Sequence, residues 1–160
     1  MTNQSDTHQS DAYPSGVRKN LLDLLQARPQ LAARFDHFQA AFSDQQLLPE
    51  RLLAICRTRI DALHDLPAEA SQQLSADEAA LVSAGNFAAL STTEIAALTL
   101  AEQMAMDAHG VTAAQVSAVA DALGEPGAVT LLTAVALFDS NARMQRVLAP
   151  LRERRSATQS

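Results

Sequence analysis

The chain is short of the residues that build sheets, disulfide frameworks and aromatic cores. Aromatic side chains make up 4% of its 160 residues, with no tryptophan and one tyrosine. β-Branched and aromatic residues favour strands, so their scarcity beside abundant Ala and Leu favours helix. There is one cysteine, Cys56. A lone thiol excludes an internal disulfide framework and any dithiol cycle within one chain, and it suits a reducing compartment. Positive charge is outnumbered, 12 Lys and Arg against 18 Asp and Glu, for a net charge of −6. An acidic surface repels phosphate backbones, which argues against a nucleic-acid partner. The opening MTNQSDTHQSDAYPSG has no apolar segment with a basic flank and does not read as a secretory signal. The longest apolar run, AVTLLTAVALF (128–138), is about half the length that spans a bilayer. The expectation is a cytoplasmic protein with no membrane partner. Gly-rich phosphate loops, G-x-S-x-G and H-E-x-x-H are also missing, so no cofactor or metal is expected.

What the sequence does contain is helical punctuation. Its length suits one domain. Residues 1–15 are polar and read as a disordered tail, 16–152 as the folded domain, and 153–160 as a second tail. A first helix is expected over about Val17–Ala27. Pro29 starts a second, in which Leu31, Phe35, Phe38 and Phe42 recur at three- and four-residue intervals as a core face. Pro49 starts a third, with Leu52, Leu53, Ile55, Cys56, Ile60 and Leu63 as its apolar set. SADE (Ser75, Glu78), STTE (Ser91, Glu94) and TAAQ (Thr112, Gln115) each pair an N-cap hydroxyl with a carboxylate or amide three residues on, the pattern of a capping box. These helices are expected to stop near Gly85-Asn86, near Ala108 and His109-Gly110, and at GEPG (124–127), before a last helix through about Leu151. The prediction is an all-α bundle of about seven to eight helices. The last helix is apolar nearly all round over 128–138, so it should be covered on several sides, as a central helix and as part of a subunit interface.

The order of four segments resembles the AhpD-like, or carboxymuconolactone decarboxylase-like, family. The segments are the spaced phenylalanines of FDHFQAAF; the Leu47, Leu48, Pro49, Arg51, Leu52 start with Arg57, Arg59, Ile60 and Leu63 after it; LSTTEIAALTLAEQMA; and VTLLTAVALFDSNARMQRVL. The likeness covers roughly residues 29–150. It implies an all-α bundle assembled as a dimer, trimer or hexamer, with room for a small-molecule ligand. Many members are thiol-dependent hydroperoxide reductases or decarboxylases. Redox members carry C-x-x-C-x-x-x-H with a Glu upstream: one thiolate attacks the peroxide, the second resolves it as a disulfide, and Glu and His move protons. Counted from Pro49, those positions fall here on Leu66, Glu69 and Gln73, with Ala54 in place of the upstream Glu. Both cysteines are missing, and LSADE (74–78) arrives about two helical turns early. Asp139 occupies the family's Asn position, with Phe138 and Arg143 kept. The resemblance therefore implies a relative without the dithiol peroxidase centre, either non-peroxidatic or an antioxidant enzyme that uses Cys56 alone.

Three residues are candidates for residual catalysis: Cys56, His64 and Glu69. Cys56 reads either as a small buried hydrophobe among aliphatic neighbours or as a nucleophile whose thiolate is stabilised by Arg57, Arg59 or His64. His64, between Asp61 and Asp65, reads either as a helix-end imidazole favoured by the dipole or as part of an acid–base or weak metal site. Glu69 reads either as a solvated side chain in PAEASQQ or as a general acid of a decarboxylase-type site. Asp139 and Arg143, four apart, read as an ion pair. Met104 and Met106 read as packing residues, and His37 as a residue at the core's edge.

Overall fold

Each helix begins where local chemistry satisfies its free N–H groups. A computed structural model describes residues 25, 27–43, 48–67 and 71–158. Among them run α1 (Pro29–Ser43), α2 (Glu50–Leu63), α3 (Ala76–Ser83), α4 (Thr92–Met106), a 3-10 turn (Ala108–Gly110) and α5 (Ala113–Thr158). No strand forms among these residues; the β-bridge between Ser71 and Leu74 is isolated. The chain is all-α. The N-terminal segment 1–15 and most of the expected first helix, 17–27, lie outside the described residues.

All three capping boxes form. Ser75 and Glu78 cap α3, and Ser91 and Glu94 cap α4. Thr112 Oγ1 accepts from the Gln115 N–H while the Thr112 N–H donates to Gln115 Oε1, opening α5. Such caps contribute about 1 kcal/mol each because they satisfy donors the helix cannot. The stops are equally local. α3 ends as a Schellman motif: Gly85, at φ 78°, donates to the Val82 carbonyl and Asn86 to that of Leu81. α2 ends in the same way, with Asp65 in the left-handed position at φ 54° and Leu66 donating to the Asp61 carbonyl. Gly124, at φ 73° and ψ 162°, breaks α5 into arms 113–123 and 125–158, and Pro126 sits in the first turn of the second arm.

α2 is the central element. Leu52, Ile55, Cys56, Arg57, Thr58, Ile60 and Asp61 are all buried, so polar as well as apolar faces are covered. It lies against α3, α4 and the long arm of α5. Arg51 meets Glu94 and Arg59 meets Glu102, the same offset eight residues apart, so α2 and α4 run side by side in one direction. Arg57 over Phe138 and Arg146 against the His64 carbonyl place the long arm of α5 parallel to α2 as well. Leu98, Leu100, Leu131, Val135 and Val82 close the core around Ile55 and Ile60.

The helical framework departs from the sequence reading in several places. The stretch 128–138 of α5 is buried at Ala128, Leu131, Ala134, Val135, Leu137 and Phe138, while Val129, Thr133 and Ala136 face solvent; α2, not α5, is the enclosed helix. α5 continues past Leu151 to Thr158. In α1, Ala32 is buried but Leu31 is 53% and Phe38 49% exposed, and the helix makes no extensive contact with the other described helices. Periodicity marks an apolar face without naming its cover. Met104 joins the core edge as expected, whereas Met106 and His37 are exposed. By length and composition, Ala113–Pro150 is long and apolar enough to cross a membrane; 39% of its apolar window is buried within the chain.

Candidate functional site

The functional candidates collect along α2 and the α5 arm beside it. Cys56 lies on the apolar face of α2 with no exposed surface. Burial, and then the nearby Glu94 charge, pushes its thiol up to about 12. Both effects disfavour the thiolate, which is the nucleophilic form. The cations close to it in sequence are committed elsewhere. Arg57 pairs with Asp61 at 3.4 Å and lies over the Phe138 ring, 5.6 Å from its centroid. Arg59 binds Glu102, donates to the Ser83 carbonyl and approaches the Phe87 ring. His64 is two turns further along α2, a rise of about 12 Å, so thiol and imidazole do not pair.

Arg51 joins two helix starts. Its Nη2 lies 2.9 Å from Glu78 and its Nε 3.0 Å from Glu94, the capping carboxylates of α3 and α4, while Nη1 donates to the Gln73 carbonyl. The Glu78 carboxyl is held below its ordinary range by the Ser75 N–H, the Ser75 hydroxyl and Arg51. At Glu94 burial works in the opposite direction, but the Ser91 donors and Arg51 outweigh it and the carboxyl is also lowered. Arg51 itself is raised, chiefly by Glu78. Three arginines of the α2 segment, 51, 57 and 59, thus serve as cross-links between helices.

At the end of α2 the chain brings together His64 and Asp139. His64 Nε2 lies 2.7 Å from Asp139 Oδ1, and the second Asp139 oxygen accepts from Arg143 Nε at 2.8 Å. Arg143 Nη2 also donates to the Ala105 carbonyl at the end of α4. Arg146 donates to the His64 carbonyl and pairs with Asp65 at 2.8 Å. The Asp139–Arg143 pair agrees with the sequence reading. The partner of His64 does not: neither Asp61 nor Asp65 takes the imidazole, and a carboxylate 75 residues away does. A carboxylate-held imidazole is the arrangement of an oriented proton carrier. Among the described residues its ring meets no hydroxyl or thiol that it could activate. Glu69 lies outside the described residues.

One feature could not be read in the sequence. The buried polar residues Arg57, Thr58, Asp61, Asn141 and Gln145 all lie on α2 or α5. Phe138, Asn141, Ala142 and Gln145 follow one another at helical spacing on the long arm, and Arg57 stacks on the first of them. Asn141 is 3% and Gln145 7% exposed, yet Asn141 Oδ1 and Gln145 Nε2 meet no hydrogen-bond partner within the described chain. Among the described residues no group of three His, Cys, Asp or Glu side chains is placed to hold a metal. Compared with protein-family models, curated proteins and solved structures, the chain matches none.

Proposed function

We propose that the chain is a homo-oligomeric, cytoplasmic protein of AhpD-like, or carboxymuconolactone decarboxylase-like, build that works without thiol chemistry. Its role is that of a binding or structural protein, or of an enzyme whose chemistry needs no cysteine. The full bundle has about seven to eight helices and assembles as a dimer, trimer or hexamer. Two things support the family part of this reading: the order of the four resembling segments over 29–150, and the helices that run through them. The observation that carries the functional part is Cys56. The only sulfur nucleophile in the chain is buried, its proton is held tightly, and its neighbouring cations face other groups.

Hydroperoxide consumption by the wild type and by Cys56→Ala, with a dithiol reductant supplied, tests the reading. Alanine is chosen over serine because a serine hydroxyl at this site would need a partner. Equal background rates are expected. A wild-type rate that Cys56→Ala abolishes would overturn the reading in favour of a single-thiol antioxidant enzyme. Light scattering tests the assembly, and a mass of one chain would refute it.

A further inference from the structure

We propose that the outward face of the long arm of α5 docks on the same face of a second copy of the chain, antiparallel, about a two-fold axis between Thr133 and Ala136. The inference rests on the assembly part of the reading above and names its interface. Glu125, Val129, Thr133, Ala136, Ser140 and Arg143 recur at three- and four-residue intervals and all face solvent. A helix face turned to water ordinarily carries charge, and charged residues make up 19% of this chain. Yet none of the exposed positions between Glu125 and Arg143 is charged. The Thr133 hydroxyl donates to the Val129 carbonyl at 2.8 Å, so its hydrogen needs no water. The arm therefore shows an uncharged strip about 27 Å long.

The ends of the strip identify what covers it. Glu125 stands at one end and makes no ion pair or hydrogen bond among the described residues. Arg143 stands at the other end, about five turns on and at the same angle about the helix axis. Its side chain is 56% exposed, and while Nε serves Asp139 and Nη2 the Ala105 carbonyl, Nη1 takes no partner among the described residues. A strip with one acidic and one basic end matches itself only when two copies run antiparallel. Each Glu125 then lies beside the partner's Arg143, and each Val129 beside the partner's Ser140. A parallel pair would set like charges against each other at both ends, which disfavours it. The antiparallel pair is the isologous arrangement of a two-fold dimer. Ala136 and Ser140 are small, so the two helix axes can approach to about 8–10 Å. A strip of this length is at the small end of specific interfaces, so the dimer is reversible.

Sedimentation equilibrium of the full chain from about 1 µM to about 300 µM tests the proposal. The wild type should pass from monomer to dimer across that range. Ala136→Glu brings two carboxylates together near the axis and should weaken the dimer roughly tenfold or more. Its Tm should stay unchanged, because the position faces solvent. Glu125→Lys sets like charges opposite each other at both ends and should weaken the dimer about three- to tenfold at low salt, and less at about 1 M salt. A dimer as tight as wild type in either variant overturns this interface while leaving assembly through another face. A wild type that keeps the mass of one chain throughout overturns the assembly reading as well. Vesicles of neutral phosphatidylcholine offer the other apolar occupant. Wild-type chain that pellets with them, where Ala136→Glu does not, assigns the face to a membrane and overturns the dimer.

Discussion

Alkylation of Cys56 should report the opening of the fold and not the pH alone. The thiol moves from its ordinary 9.0 to about 12 on folding, chiefly through burial. At about pH 8 an exposed thiol is roughly one-tenth thiolate, whereas the folded one is roughly one part in ten thousand, so ionisation alone slows labelling about a thousandfold. Full coverage of the sulfur slows it further. The same shift is a stability term. The folded state holds this proton more tightly than the unfolded chain, so the contribution is complete below about pH 9 and is lost as pH rises towards 12. Three pH units correspond to about 4 kcal/mol over that whole window. The assay is iodoacetamide labelling of the wild type at about pH 8, native and in urea, together with urea unfolding of wild type and Cys56→Ala between about pH 7 and pH 10. Native labelling should be slower by about three orders of magnitude, and the alkaline loss of stability should be smaller in Cys56→Ala. A native rate within about tenfold of the denatured rate would refute the reasoning, because it would require a reachable, ionised sulfur.

Arg51→Met should destabilise the fold by about 1–2 kcal/mol, read as a lower urea midpoint, because two partly exposed ion pairs and one bond to a backbone carbonyl are lost together. Acid should weaken the same junction. Glu78 and Glu94 are held below 4.5 in the folded state, so their contribution is present above that value and is lost as pH falls through the folded values. Tm measured from about pH 6 down to pH 3 should fall, and less steeply in Arg51→Met. Asp139→Asn should cost about 1–3 kcal/mol in urea unfolding, since one carboxylate serves both His64 and Arg143; an unchanged midpoint would show that the junction contributes nothing.

The helix boundaries were legible in the sequence because their causes are local. Ser75 and Glu78, Ser91 and Glu94, and Thr112 and Gln115 meet across three residues whatever the rest of the chain does. Gly85 and Gly124 mark breaks through a backbone angle that belongs to one residue. The stop of α2 at Asp65 was less visible, since a left-handed aspartate carries a weaker signal than glycine.

What lies between helices was not legible. Cys56 and Arg57 are adjacent in sequence, and only packing decides that the sulfur enters an aliphatic core while the guanidinium goes to Asp61 and Phe138. His64 had two aspartates within reach on its own helix, yet the approach of α5 supplies Asp139 instead. Asn141 and Gln145 look like surface residues in any periodic reading, yet the folded chain buries both. The sequence alone determines where this chain turns helical, because hydrogen bonds over three or four residues need no tertiary partner. Which faces those helices hide, and hence which polar side chains are buried, only the tertiary structure decides, because burial belongs to pairs of helices brought together from distant parts of the chain.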